Sequence, residues 1–320
     1  MARTNNLSNF LTDVADAIRT KKGSEELIAA ADFDTEIENL PSGADLSEYF
    51  TDTIDKGSGG GGVGESGWIK CMKKCPAFTP LDINYQDCGY MFCHCPWKEI
   101  DLSNFTKVYN MANMFAYSPR LENLDLSPMG YHDNLKNVSG AFQGLTNLKT
   151  INFGTFAQKR GITNFTQLFR DASKISSLDL STFKTDDITT MQQMFYGCTN
   201  LQTINFAGFN TEKVTDMGSM FYNCNKLATL DLSSFNTPLL TKASSMFSSC
   251  RLLTKIDMRN FIFSGLTSFT NMFGSSASNG VPNNCEIIVK DDTEKSWITT
   301  NFSRLTNVKT VVEYEAEQNA

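Results

Sequence analysis

Residues 188–235 read ITTMQQMFYGCTNLQTINFAGFNTEKVTDMGSMFYNCNKLATLDLSSF and contain one pattern twice. A Met-Phe pair is followed, three residues after the phenylalanine, by a cysteine and then by an L-x-x-[LI]-[DN]-[LF] run. The anchor phenylalanine recurs with spacings of 23, 27, 27, 26, 26, 26 and 26 residues, at Phe92, Phe115, Phe142, Phe169, Phe195, Phe221, Phe247 and Phe273. A constant period of this length predicts a solenoid, in which stacked coils bury the apolar faces that one coil cannot bury alone.

Each unit contains two local patterns. Leu230 and Leu232 alternate with Asp231, which is the period of a strand with one buried face. Before the anchor, the apolar residues at 214, 217, 220 and 221 share one side of a short helix or 3₁₀ turn. One strand and one helical turn per unit predict an α/β leucine-rich-repeat solenoid of about eight coils of ~26 residues each, over residues 69–284.

The chain outside the array divides into three pieces. Residues 285–320 lose the repeat pattern and are predicted to cap the last coil. Residues 46–68 contain the run GSGGGGVGESG and form a flexible linker. Residues 1–45 carry a helical apolar stripe that is too short to form a core, so this α-helical segment needs a partner, either its own copy or a host assembly. The stripe consists of Leu7, Phe10, Leu11, Val14 and Ile18.

Composition excludes several classes of function. The net charge of −7 argues against nucleic-acid binding, and no apolar run is long enough to cross a membrane. The N-terminus lacks the apolar region of a secretory signal. Two histidines and the lack of GxSxG, HExxH or a phosphate-binding glycine loop predict a protein that is not an enzyme and needs no cofactor.

Eight of the nine cysteines fall into two groups, which share Cys95. Those three residues after an anchor share their position with Ser118, Leu145, Ala172 and Ser276, so we interpret them as small core residues. The second group lies at the start of the array. Four thiolates there can hold zinc, although their spacing does not match paired C-x2-C knuckles and packing is the preferred interpretation. This group is Cys71, Cys75, Cys88, Cys93 and Cys95.

Two sets of polar residues are candidates for binding. One polar residue per strand run is predicted to point outward, either to bind a sugar or a cation or only to be solvated. This row is Asp101, Asp125, Asn152, Asp179, Asn205, Asp231 and Asp257. The inserts of residues 116–163 form the second set, with Tyr117, Arg120 and Tyr131, because insertions in a solenoid collect on one face that is often the binding face. From these two sets we predict a receptor-binding role for Tyr117, Arg120, Tyr131, Asp179, Asn205, Asp231 and Asp257.

The repeat units resemble the BspA-type leucine-rich-repeat family, whose hallmark is LDLSxFNTxxVTxMxxMFxxC. The match is specific over residues 175–273 and looser over residues 92–170. This resemblance implies a right-handed solenoid that acts in attachment or protein–protein contact without enzymatic activity. The run ADAIRTKKGS, residues 15–24, resembles a segment at the start of tail and fibre proteins of phages of Gram-positive hosts.

The resemblances and the order of anchor, linker and head together predict a structural protein of a phage virion. Residues 1–45 would bind other tail, baseplate or capsid proteins or oligomerise, with a trimer expected by analogy with phage fibres. The solenoid, as a tail fibre or baseplate-associated head, would bind a host surface protein or glycan. The alternatives are a capsid-decorating head fibre and a bacterial surface adhesin of the same repeat family. An enzyme such as a zinc hydrolase is the least favoured class.

Overall fold

The computed structural model describes residues 88–320 with the exception of Met91, Pro96, Trp97, Glu99, Asp101, Ser103, Asn104, Thr106, His132 and Asn134. Besides Asp101 of the polar row and residues 69–87 of the predicted array, three predictions concern residues outside this range. They are the linker of residues 46–68, the proposed zinc ligands Cys71 and Cys75, and the anchor of residues 1–45 with its stripe of Leu7, Phe10, Leu11, Val14 and Ile18.

Short strands repeat along the array. The middle residue of each strand is Leu or Ile and packs in or against the core, whereas the residue on either side mostly faces outward. This alternation confirms the predicted strand with one buried face. Within the described part of the array the strands are β1 (Asn123–Asp125), β2 (Thr150–Asn152), β3 (Ser177–Asp179), β4 (Thr203–Asn205), β5 (Thr229–Asp231) and β6 (Lys255–Asp257).

Within the array β1 pairs with β2, β3 with β4 and β5 with β6, each pair in parallel, and the register follows the repeat. Leu230 of β5 lies opposite Ile256 of β6, and Leu178 of β3 lies opposite Ile204 of β4. A second line of parallel bridges joins one residue of each coil to the next, from Asn110 through Asn137, Asn164, Thr190, Asp216 and Lys242 to Ser268. Equivalent residues of neighbouring units therefore meet at two places, as expected for a solenoid-like repeat fold.

The anchor phenylalanines form one continuous column of stacked rings. Neighbouring ring centroids lie 5.3–6.1 Å apart, from Phe92 to Phe273. Burying one such side chain stabilises the fold by about 2–3 kcal/mol, and an offset ring pair adds about 0.5–1.5 kcal/mol. The prediction that the repeated phenylalanines build the core is confirmed.

The segment before each anchor is a series of turns, so of the two predicted alternatives, a short helix or a 3₁₀ turn, only the turn forms. Met220 N donates to Met217 O at 3.2 Å, which is the i→i+3 bond of the predicted turn. Ser219 N, between them, donates instead to Ser244 O of the next coil at 2.8 Å. Because alternate N–H groups bond to the neighbouring coil, the ladder of a helix does not form.

Left-handed backbone at two positions per coil interrupts the helical path. The residues two before and two after anchor Phe221 are Ser219, with φ +55°, and Asn223, with φ +60°. Gln193 and Gly197 occupy the same positions around Phe195, with φ +56° and +72°. A non-glycine residue in this conformation costs about 1–2 kcal/mol, so the stacking of coils must hold it in place.

The cysteine after the anchor has a bonding role that its small size does not reveal. Cys224 Sγ donates to Phe195 O of the preceding coil at 3.1 Å, and Cys250 Sγ donates to Phe221 O at 2.9 Å. In an earlier coil the hydroxyl of Ser118 makes the equivalent bond to Phe92 O at 2.7 Å. The interpretation as a packed core residue holds, and the thiol or hydroxyl also ties two coils together.

A threonine row repeats one hydrogen bond with a constant offset. Thr215 Oγ1 donates to Thr189 O at 3.2 Å, and Thr241 Oγ1 donates to Thr215 O at 3.1 Å, each across 26 residues. Thr267 continues the row with a bond to Thr241 O at 3.2 Å. Successive coils are therefore joined by the same bond in the same register.

The C-terminal cap continues the sheet and covers its end. Strand β7 (Glu286–Val289) pairs with β6, helix α1 (Asp292–Asn301) follows, and strand β8 (Val308–Thr310) pairs with β7. Helix α2 (Val311–Gln318) then begins at a capping box formed by Thr310 and Glu313. In the described part of the chain, no helix combines the length and apolar character needed to cross a bilayer.

Candidate functional site

The strand row of Asp and Asn residues takes part in local turns. Asp231 Oδ1 accepts from Ser233 N at 2.9 Å, and Asn205 Oδ1 accepts from Ala207 N at 3.0 Å. The same bond to the backbone two residues on occurs at Asp125, Asn152, Asp179 and Asp257. These side chains shape the turn after each strand. This role explains why Asp or Asn recurs at the position without requiring a ligand.

Charge alternates along the same row. From β1 to β5 the residues are Asp125, Asn152, Asp179, Asn205 and Asp231, so carboxylates are separated by about 10 Å, two strand spacings. Asn205 Nδ2 donates to Asp179 Oδ1 at 3.0 Å, and hydrogen bonds from Ser181 hold the pKa of Asp179 below its usual value. Repulsion between stacked carboxylates is thereby reduced.

The alternation ends at β6, where Asp257 lies beside Asp231. Arg259 compensates, because its Nη2 and Nε donate to Asp257 at 2.7 and 3.1 Å. Asp257 is 9% exposed, so most of its surface is already covered. A receptor-binding role for Asp179, Asn205, Asp231 and Asp257 stays a prediction beside this structural one.

We expect Asn205→Asp to destabilise the array by about 1 kcal/mol at low salt. The change removes the amide donor to Asp179 and places four carboxylates in consecutive strands, from β3 to β6. Urea unfolding at about 50 mM and about 1 M NaCl measures the effect, which salt should largely remove. Asn319→Asp adds the same charge away from the row as a control, and equal destabilisation of the two variants at low salt would contradict the prediction.

A cleft of about 420 Å³ lies where α2 meets the exposed face of β5 and β6. Asp231 and Asp257 line it together with Thr229, Lys255 and Tyr314. Lys255 Nζ donates to Tyr314 Oη at 2.5 Å, lies 4.2 Å from the centre of that ring, and is 3.6 Å from a Glu286 oxygen. The ammonium group of Lys255 thus already has partners within the protein. Its contacts with Tyr314 hold α2 against the sheet.

The turns around the anchors form a second exposed surface, which we call the turn face. The residue directly after the anchor is Arg170, Tyr196 and Tyr222 in three successive coils, and all three are partly exposed. The rings of Tyr196 and Tyr222 are stacked with centroids 4.7 Å apart and planes inclined by 6°. The Arg170 guanidinium carbon lies 4.8 Å from the centre of the Tyr196 ring. We call this stack the aromatic row.

Side chains beside the aromatic row fix the arginine. Arg170 Nη1 donates to Gln193 Oε1 at 3.0 Å, and Arg170 Nε lies 3.2 Å from Asp171 Oδ2. Gln167 Nε2 also donates to Gln193 Oε1, at 2.7 Å. The row is therefore held in one geometry, which lowers the entropic cost of binding a partner.

The three candidates from the inserts have different environments. Tyr117 is 44% exposed on the turn face, its ring stacks on His94 at 5.3 Å, and its Oη accepts from Gln143 Nε2 at 2.5 Å. Arg120 is exposed. Tyr131 is 7% exposed and burial raises its pKa, so little of its ring is available to a receptor.

Glycine is required opposite Tyr117. Gly144 has φ +67°, and a Cβ at this position would lie 2.5 Å from Tyr117 Cδ1. The exposed ring thus lies directly on the backbone of the next coil.

Arg170, Tyr196 and Tyr222 are not among the residues that motifs and spacings in the sequence indicated. A signal for these residues appears when the coils are aligned on their anchor phenylalanines. The position directly after the anchor holds Ala116, Gln143 and Ser248 in other coils. A position that accepts small and polar residues does not need an aromatic ring for packing.

Metal binding at the start of the array stays untested. Among the described residues, no group of three or more His, Cys, Asp or Glu side chains is arranged to hold a metal ion. Cys88, Cys93 and Cys95 are buried, and Cys71 and Cys75 lie outside the described range.

A family model described as "Mycoplasma protein of unknown function, DUF285" matches residues 86–177 and 163–284. These two matches together cover more than half of the chain and contain every anchor phenylalanine. No curated protein matches the chain significantly.

Proposed function

Since the chain belongs to the DUF285 family of BspA-like repeat proteins, we propose that it is a non-enzymatic binding protein of a phage virion that attaches to the host cell through its repeat array. The array would supply the recognition surface. Residues 1–45 would join the protein to the tail, baseplate or capsid.

The aromatic row is the observation that carries this proposal. Tyr196 and Tyr222 place stacked, partly exposed rings at a position that other coils fill with small or polar residues. Tyrosine and arginine are enriched among residues that dominate binding energies, since they offer large rigid contacts at low entropic cost. A row kept outside the core and fixed by Arg170 is therefore suited to contact with a partner.

The assignment to a virion rests on the sequence. The run at residues 15–24 resembles the start of tail and fibre proteins, and a glycine linker separates it from the array. The stripe of residues 7–18 would bury itself against virion proteins or against its own copies, for which a trimer is expected by analogy with phage fibres. A head fibre on the capsid differs from a tail fibre only in its position on the particle.

A bacterial surface adhesin is the second candidate. The description of the family names Mycoplasma, a cellular bacterium, and this favours it. An adhesin would use the same turn face for attachment but would be displayed by a cell.

Binding of the fluorescently labelled full-length protein to a panel of Gram-positive bacteria tests the attachment role. We expect the double variant Tyr196→Ala, Tyr222→Ala to bind at least about tenfold more weakly to the cells that retain the native protein. Leu239→Ala, which truncates an exposed side chain of the loop after β5, is the control and should bind as the native chain does. Equal binding of the double variant, with its fold intact by circular dichroism, would refute a role for the row.

Incorporation into particles separates the two candidates. Full-length protein with Phe10→Asp and Val14→Asp should fail to enter particles of the encoding phage, whereas the native chain is incorporated. Immunogold labelling locates the native protein on the tail or the head. Native protein found on cell envelopes and not on particles would favour the adhesin.

A further inference from the structure

The aromatic row ends at Tyr222, which is partly exposed and on which no described ring of the next coil stacks. Tyr222 stacks on Tyr196 with one face. In the following coil the matching position is Ser248, which is joined to Tyr222's coil by a 2.9 Å bond from Asn223 N to Ser248 O. The Ser248 hydroxyl turns inward to donate to Asn271 O at 2.9 Å, and the residue is only 4% exposed. The row therefore supplies no side chain to cover the second face of Tyr222.

The positions that flank this end of the row are all neutral and polar. They lie two residues before and two after the anchors Phe221 and Phe247. Ser219, Asn223 and Ser245 are partly exposed, and Ser249 is nearly buried. The backbone at each of these positions is left-handed, and this fixes the direction in which the side chain with its hydroxyl or amide group leaves the chain. The opposite end of the row is charged, with Arg170 and Asp171.

We propose that the open face of Tyr222, with its flanking hydroxyl and amide groups, binds a neutral saccharide residue; the inference rests on the proposed attachment function and names its ligand class. The electron-rich face of the tyrosine attracts the partly positive C–H hydrogens on one side of a pyranose ring. The hydroxyls at the rim of the sugar then exchange hydrogen bonds with Ser219, Asn223 and Ser245.

A cationic ligand fits this end of the row less well. The Tyr196–Tyr222 pair already has a guanidinium over its other end. The four flanking positions supply no carboxylate to neutralise a second cation. Neutral donors and acceptors suit a polyol, whose groups are of the same kind.

Two substitutions test the open ring face in opposite ways. Tyr222→Ala removes the platform, and Ser248→Tyr extends the row by the residue that the two preceding coils use, which covers the platform. Tyr222→Phe keeps the ring as a matched control. Far-ultraviolet circular dichroism and thermal melting establish that each full-length variant is folded.

An array of immobilised neutral and anionic glycans supplies the probes. We expect the native protein and Tyr222→Phe to be retained on neutral glycans, and Tyr222→Ala and Ser248→Tyr to be retained at least about tenfold more weakly. Retention on no glycan, on anionic glycans alone, or equally by folded Tyr222→Ala would overturn the proposal. Stronger retention of Ser248→Tyr than of the native chain would overturn the open-face geometry as well.

Periodate treatment of the bacterial panel distinguishes this inference from the attachment function. Periodate cleaves vicinal diols and so destroys sugar rings while leaving most protein surface intact. Loss of cell binding after treatment supports the saccharide site. Undiminished binding overturns it and leaves the attachment function standing, whereas retention on neutral glycans without binding to any cell overturns the attachment function alone.

Discussion

Replacing Phe195 by alanine lowers the free energy of unfolding by about 4 kcal/mol. Phe195 is fully buried, and its ring stacks between Phe169 at 5.7 Å and Phe221 at 5.6 Å. The ring of Phe206 also meets it edge-on at 5.9 Å. The substitution removes apolar contact with both neighbouring coils, and close packing on every side prevents the cavity from collapsing.

Urea unfolding followed by circular dichroism measures this loss. Tyr196→Ala is the matched control, since it truncates an aromatic side chain one residue away that lies on the surface, and it should cost less than about 1.5 kcal/mol. A loss of less than about 1 kcal/mol in Phe195→Ala would mean that the column of rings does not carry the stability of the array.

We expect alkaline pH to destabilise the fold strongly, because cysteine thiols are buried in the core. Burial raises the pKa of Cys250 and of Cys285 to about 12, and it also raises the pKa of Cys198 and Cys224 above the usual value of a thiol. In the unfolded chain these thiols ionise from about pH 8.5. The folded state keeps them neutral, so their stabilising contribution is complete below that pH and is lost as the pH rises toward the folded pKa. At about pH 10.5 ionisation of the thiols in the unfolded chain should therefore lower the free energy of unfolding by several kcal/mol in total, a large part of the ~5–15 kcal/mol that stabilises a domain.

The free energy of unfolding at about pH 8 and about pH 10.5 checks this expectation. The control is the triple variant Cys198→Ala, Cys224→Ala, Cys250→Ala, because the chain itself places Ala172 at the same position of another coil. The triple variant should retain only the smaller part of the pH dependence that comes from Cys285 and Cys93, because burial raises the pKa of these two thiols as well. Identical pH dependence in the two proteins would show that these thiols do not ionise on unfolding in this range.

The regular part of the fold was accessible from the sequence because it depends on periodicity. The 26-residue spacing of the anchors identified the stacked phenylalanines, and the alternation around Asp231 identified a strand with one buried face. Both features depend only on which residues are apolar and on how they are spaced, and both can be read directly from the sequence.

The sequence could not decide between a short helix and a turn before each anchor, because the two structures bury the same residues. Val214, Met217 and Met220 are all fully buried, as either structure would require. The deciding feature is the left-handed backbone at Ser219 and Asn223, and serine and asparagine give no clear signal for it. The hydrogen bonds between coils that hold this backbone are long-range, so no local pattern records them.

The candidate site was only partly accessible for a related reason. Tyr117 and Arg120 were located by an insert in the period, and Tyr117 does lie on the turn face. Tyr131 belongs to the same inserts but packs on Phe156, since a break in periodicity does not reveal the direction of a side chain. The aromatic row requires three coils to be compared at one position, and its members are far apart in sequence.

The threonine row has a consequence for how the gene can change. Each bond of the row joins residues 26 positions apart, so an in-frame duplication or loss of 26 codons between Thr189 and Thr267 preserves every bond across the junction. Each such recombination event lengthens or shortens the array by one coil, about 4.8 Å, without altering either end. The length of the array and the residues displayed on its surface can therefore evolve independently.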